Sequence, residues 1–360
     1  MKPPGTYLRG NVLPTVVVVS VVMLTTLLGL VMLWEQESLL FARSRRLRQA
    51  RADVESAYAL WRLHPDNDAL TASDGFRLCD SLPQSRVFVG AEPWGLYEAV
   101  RVRTADSLIT TCRLYGAEPD ASNTLFYADN RSAVTLAGQT LLQGALRLPQ
   151  NGVVYGRVGS DFYRGPQLLR TAILRSESRL PEPDAEVLRR VAALFTPLGR
   201  SSDALPDSLS CSFRCDSAAA FCLRNAEVGD CALRGRVVLY ADCLRIDSTC
   251  HMEHLLVVAR KITVGSGARI AAQLFACDTL VVEPRAVLEY PSGIYAQQYA
   301  EVGDRAEVNG YAVVCDTVRR KKITATSRQS RTARLRGLVW VNGVAQVQGI
   351  VAGRAFLRQA

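Results

Sequence analysis

The sequence predicts a mainly β fold, a parallel β-helix (β-solenoid) of about 18 residues per coil, behind an N-terminal transmembrane and stalk helix. Three observations predict it. The stretch from Val238 to Leu288 lies on itself when shifted by eighteen residues: Val238, Leu256 and Leu274 coincide, as do Leu244, Ile262 and Leu280, then Ile246, Val264 and Val282, then Met252, Ile270 and Leu288. Within each eighteen runs a step of six. Alternate side chains of a strand face one way, so three short strands make one triangular coil with these residues inward. The same step recurs at Leu136, Leu142, Leu148 and Val154, and at Leu338, Val344, Ile350 and Phe356. Finally, no charged residue occurs from Asn11 to Trp34.

In chain order, residues 1–11 are a short basic tail with Lys2 and Arg9. Residues 12–34 are expected to be a membrane-spanning helix, because about 20 apolar residues cross a bilayer. Pro14 falls in the first turn, where its missing N–H costs nothing, and Trp34 suits the interface. Residues 35–64 continue as a juxtamembrane stalk, since Ser38 to Leu63 contain neither Gly nor Pro. Leu40, Leu47, Val54 and Trp61 recur every seven residues as a candidate packing seam, open either to another helix or to the chain's own β region. The helix ends at His64-Pro65, because a residue before proline avoids helical geometry.

Residues 74–128 read as a small β region. Its candidate strands are 86–89, 96–103, 108–115 and 124–127, with turns at Ala91-Glu92-Pro93, Ala105-Asp106 and Glu118-Pro119-Asp120. Residues 134–175 hold the first solenoid stretch. Residues 183–196 hold an amphipathic helix that gathers Val187, Leu188, Val191, Leu194 and Phe195 on one face and is expected to cover an end or a side of the β body. The main solenoid spans 210–357. It is interrupted at 319–336 by a basic excursion with eight bases and no acid: Arg319, Arg320, Lys321, Lys322, Arg328, Arg331, Arg334 and Arg336. These eight are candidate anion-binding residues.

The net charge of +9 points to acidic partners, either an anionic polymer or lipid headgroups. No RNP, zinc-finger or P-loop pattern accompanies it, so nucleic acid is not expected as a partner. Six of the ten cysteines fall between 211 and 250. Cys211, Cys215, Cys222 and Cys231 lie outside the clean repeat and are the disulfide candidates. Cys250, His251 and His254 lack a fourth zinc ligand at useful spacing. His64, His251 and His254 are the whole histidine complement, and no GxSxG or Cys-His pattern joins them. No catalytic, cofactor-binding or metal residue is therefore expected.

Two resemblances bear on function. The basic leader ending at Gly10, the apolar segment from Asn11 and the long stalk resemble type IV pilins and minor pseudopilins. Asn11 and Thr15 stand where that pattern has Phe and Glu. The repeat at 238–288 is similar to bactofilins, which implies self-association without catalysis. The sequence reading is thus a single-pass, membrane-anchored, non-enzymatic scaffold or assembly component of the cell envelope, associated with pilus or secretion machinery. Its expected partners are the membrane, further copies or envelope proteins. The alternatives are a surface- or polysaccharide-binding β-helix module and a cytoplasm-facing bactofilin-like polymer. The count of Lys and Arg after the span favours a cytoplasmic C-terminal domain. Cysteine density and the pilin resemblance favour the opposite, a periplasmic domain on the inner membrane, which is the expected placement.

Overall fold

The computed structural model describes residues 12–65, 67–79, 85–116, 124–158, 160–166, 173–196, 204–215, 217–315 and 325–359. The chain divides into two compact units: Met1–Gly90 with Arg101–Thr111, and Ala91–Val100 with Cys112–Ala360. Strands Phe76–Arg77, Arg86–Trp94, Tyr97–Thr104 and Thr110–Tyr115 form a four-stranded sheet in that order.

The first unit is dominated by helix α1, Val12–Leu63. By length and composition this one helix is apolar enough to cross a membrane, and its most apolar window is wholly unburied. The lower half changes character. Ala50, Val54, Ala57, Tyr58 and Trp61, spaced three and four apart, are buried. Tyr58 Oη lies 2.9 Å from Thr111 Oγ1, and Arg46 pairs with Asp106 at 3.0 Å.

The second unit is a parallel β-solenoid with three strand faces per coil. Ile246 pairs with Val264 and Val264 with Val282, so these coils are 18 residues long. The next is 20, from Val282 to Val302, and the next 27, from Val302 to Gln329. The last increase falls between Val314 and Thr326, where residues 316–324 lie outside the described residues. The rest of the expected basic excursion, 325–336, is strand and corner of the solenoid itself, with Thr326–Gln329 paired to Tyr299–Val302 and Arg334 paired to Glu307. The interior column Leu244, Ile262, Leu280 is buried as the repeat predicts, and so is Met252, Ile270, Leu288.

One column departs from the expected alignment. Leu256 pairs with Gln273, and Val257 with Leu274. The register shifts between Glu253 and Leu255, where His254 is one residue more than the next coil has. Leu239, Val257 and Leu274 therefore point inward, while Val238 and Leu256 point out of the coil. The outward set is not left to solvent. With Val258, Phe275, Tyr295 and Cys315 it forms a second apolar layer under Trp94, Ala99 and Val191. Val191 belongs to helix α2, Ala185–Leu194, whose N-cap Asp184 accepts the Glu186 N–H at 2.8 Å. Helix α2 thus covers a side of the solenoid.

The stacking order differs from the chain order. The last strand, Ile350–Gln359, pairs with Leu125–Tyr127, which pairs with Leu146–Leu148, which pairs with Ile173–Arg175. Strands Leu125–Tyr127, Leu146–Leu148 and Ile173–Arg175 therefore continue the stack beyond the C-terminal strand. The ends of the main path are Ile173–Arg175 and Ser208–Cys211. Strand 125–127 belongs to this stack and not to the small sheet. The first hairpin turns at Gly95, at φ +65°, instead of at Ala91-Pro93, because the strand runs on through Pro93 to Trp94.

The corner before the third face repeats a small buried residue: Cys231, Cys250, Ala268, Ala286, Ala306 and Ala333. From Cys250 onward, each of these donates its N–H to the carbonyl three residues earlier, at 3.1–3.3 Å.

Candidate functional site

The second unit carries a groove of about 390 Å³ at the His254 corner, lined by Cys112, Arg113, Tyr115, Phe213, His254 and Pro291 among others. The inserted His254 adopts φ +64°, which few side chains tolerate. Its carbonyl accepts the Trp94 indole N–H at 3.0 Å, which fixes the bulge. Its Nδ1 is buried and has no hydrogen-bond partner among the described residues. Burial lowers the imidazole pKa, nearby Arg234 lowers it further, and Glu253 opposes both. The ring is therefore neutral at neutral pH. What the groove offers is a flat ring in Phe213, a guanidinium in Arg113 and a neutral imidazole.

Beside it lies a buried polar clamp that the repeat does not announce. Gln273 is 2% exposed. Its Oε1 accepts the Leu96 N–H at 2.9 Å and the Tyr311 hydroxyl at 2.8 Å, and its Nε2 donates to the Trp94 carbonyl at 2.8 Å. Tyr97 donates to the Ser292 carbonyl at 3.2 Å and packs its ring 5.5 Å from that of Tyr311. Burial pushes both phenols well above their ordinary pKa, so they stay protonated donors. A Cβ on Gly95 would lie 2.3 Å from Gln273 Oε1, so only glycine fits this turn. The clamp pins the hairpin turn to the outside of the solenoid. The one signal for it in the sequence is a glutamine where the repeat expects an apolar residue.

The stalk seam is divided by the structure. Val54 and Trp61 are buried within the chain, at 3% and 5% exposure; Leu47 is half-buried and Leu40 is 66% exposed. Of the basic run, Arg319, Arg320, Lys321 and Lys322 lie outside the described residues. Arg328 donates to Gln346 at 3.1 Å, Arg331 pairs with Asp161, and Arg334 pairs with Glu307 at 3.3 Å. Arg336 is exposed on the third face. His64 and His251 are exposed. Among the described residues, no group of three or more His, Cys, Asp or Glu could hold a metal ion.

Charged pairs ladder the outer surface. Arg260 meets Asp242 at 2.9 Å across one coil. Asp278, eighteen residues beyond Arg260, does not extend this pair: it is the acceptor for Thr279 at 3.4 Å, and the register shifts again between Ala259 and Lys261. Arg245 spans two coils to reach Glu283 with two hydrogen bonds, at 2.6 and 3.0 Å. Its Nη2 would lie 3.7 Å from a Cβ on the intervening Gly265. No protein-family model, curated protein or solved structure matches this chain.

Proposed function

We propose that the protein is a membrane-anchored, non-enzymatic scaffold or assembly component of the cell envelope. The observation that carries this reading is the division of α1. From Leu13 to Trp34 it carries no charge and is exposed, while in its lower half the face formed by Ala50, Val54, Ala57, Tyr58 and Trp61 is buried within the chain. That is the pattern of a helix with one end in a bilayer and the other fixed in its own domain. The solenoid supports the scaffold reading because its main path ends in strands paired on one side only, at Ser208–Cys211 and Ile173–Arg175 among the described residues. Such edges accept another chain or must be covered.

The finer versions of this reading remain those of the sequence: association with a pilus or secretion assembly through the stalk, or bactofilin-like stacking through the solenoid ends. Both predict neighbours at defined places. Photo-crosslinkers placed at Leu40 and at Ser210 in the full chain, activated in native membranes, should yield adducts to envelope proteins or to a second copy. Uncrosslinked monomer at both positions would overturn the proposal and favour a surface-binding module.

A further inference from the structure

Two neighbouring coils place a cysteine at the same corner. Cys231 and Cys250 occupy the column that Ala268, Ala286, Ala306 and Ala333 fill in later coils, and all six are buried. The two cysteines are in register. Ala232 pairs with His251, and the His251 N–H donates to the Cys231 carbonyl at 2.8 Å. Their Sγ atoms lie 2.9 Å apart, closer than two sulfur atoms rest in ordinary van der Waals contact. Neighbouring strands stack about 4.8 Å apart, inside the Cα separation of about 4.4–6.8 Å that a disulfide spans. A methyl group satisfies this corner in four other coils, so packing alone does not call for sulfur here.

We propose that Cys231 and Cys250 are a modification site, joined into a coil-to-coil disulfide by exchange with a disulfide-bearing oxidant. The Cys231 thiolate, the less buried of the two, attacks one sulfur of the oxidant and releases the other as a thiolate. The Cys250 thiolate then attacks the Cys231 sulfur of this mixed disulfide and releases the second oxidant sulfur. Two protein S–H bonds become one S–S bond. The oxidant's disulfide is reduced to two thiols, which take up the two protons. Burial, and then the Cys231 sulfur beside it, push the Cys250 thiol pKa up, so exchange needs the corner to open briefly or takes place as the chain folds. The bond would staple the coil containing Ala232–Gly235 to its neighbour, one strand in from the open edge at Ser208–Cys211. End coils have a neighbour on one side only and fray first.

The test equilibrates the purified full chain, in detergent, with glutathione buffers of rising oxidised fraction. One series runs at ambient temperature and one a few degrees below the melting midpoint, so that burial does not block exchange. Samples are acid-quenched, alkylated under denaturing conditions, digested and weighed. The expected result is a linked Cys231–Cys250 peptide, two hydrogens lighter than the two thiol peptides together, as the dominant disulfide among the ten cysteines. Oxidation should also raise the melting temperature and slow hydrogen exchange in residues 208–235. Cys250→Ala, the residue of the later coils, should fold, form no link and melt alike in oxidised and reduced buffer. Recovery of both cysteines as alkylated thiols at the most oxidising ratio in both series, or their pairing with other cysteines, overturns the proposal.

Discussion

Gln273 stands where eighteen-residue periodicity asks for an apolar side chain, and it makes three hydrogen bonds there. Replacing it with Leu would strand the Leu96 N–H, the Tyr311 hydroxyl and the Trp94 carbonyl. Each buried group left unpaired costs about 1–3 kcal/mol, so Gln273→Leu should lose about 3 kcal/mol or more in a denaturant melt. An unchanged midpoint would mean the clamp does not hold the hairpin turn. Ile262, 1% exposed, and its half-buried neighbour Thr263 give a second contrast. Ile262→Ala should cost about 2–5 kcal/mol, and Thr263→Ala about 0.5 kcal/mol or less. Glu283 gives a pH signature. The Arg245 guanidinium holds its carboxyl below the ordinary value, with help from the Ser266 N–H and against partial burial. A carboxyl whose pKa is lower folded than unfolded contributes stability above its unfolded value, about 4.3, and loses it as pH falls through the folded value. The stability gap between the natural chain and Glu283→Gln should therefore hold steady near neutral pH and close on acidification. A gap independent of pH contradicts the pairing. At this level the sequence was partly legible. Periodicity found the Leu244, Ile262, Leu280 column, but it carries a constant step forward and cannot register one inserted residue. His254 is that residue, and the column containing Leu256 slipped by one because of it.

Helix α1 runs over Val12–Leu63 as the absence of Gly and Pro after Ser38 suggests. The heptad spacing of its stalk did not say what the stripe meets; burial of Val54 and Trp61 within the chain answers this for the lower half. The hexad rhythm likewise marked three stretches that contribute to the stack, but in the outer two it picked the wrong side in places: Val154 and Ile350 are exposed, at 50% and 57%, and Val339, Ala345 and Leu357 face the interior in place of Leu338, Val344 and Phe356. It also gave no order in space, because every coil offers the same parallel edge. The docking of Leu125–Tyr127 on the C-terminal strand rests on Phe126, 3% exposed and 6.1 Å from the ring of Phe356, and on the Ala355 N–H donated to the Thr124 carbonyl at 2.9 Å. Phe126→Ala should cost about 3–5 kcal/mol and should speed amide hydrogen exchange in 124–128 and 350–357 together. Exchange that rises in only one of the two segments would mean they are not stacked.

A solenoid with unequal coils of 18, 20 and 27 residues keeps its strands paired in parallel across all three, so the stack does not depend on a uniform repeat. Its outer layer under Trp94 and Val191 makes one side a second core, which a lone β-helix read from its sequence would leave bare. The proposal that this body is held at a bilayer depends on the exposed apolar half of α1, and composition alone does not separate a retained anchor from a cleaved signal segment. Alkaline extraction of native membranes, followed by intact-mass measurement of the protein recovered, separates them. The account predicts that the chain stays in the membrane pellet with its mass including residues 12–34, and that Leu24→Arg with Leu28→Arg moves a folded chain to the supernatant. Recovery of the natural chain in the supernatant, or of a chain in the pellet whose mass lacks that segment, would contradict it.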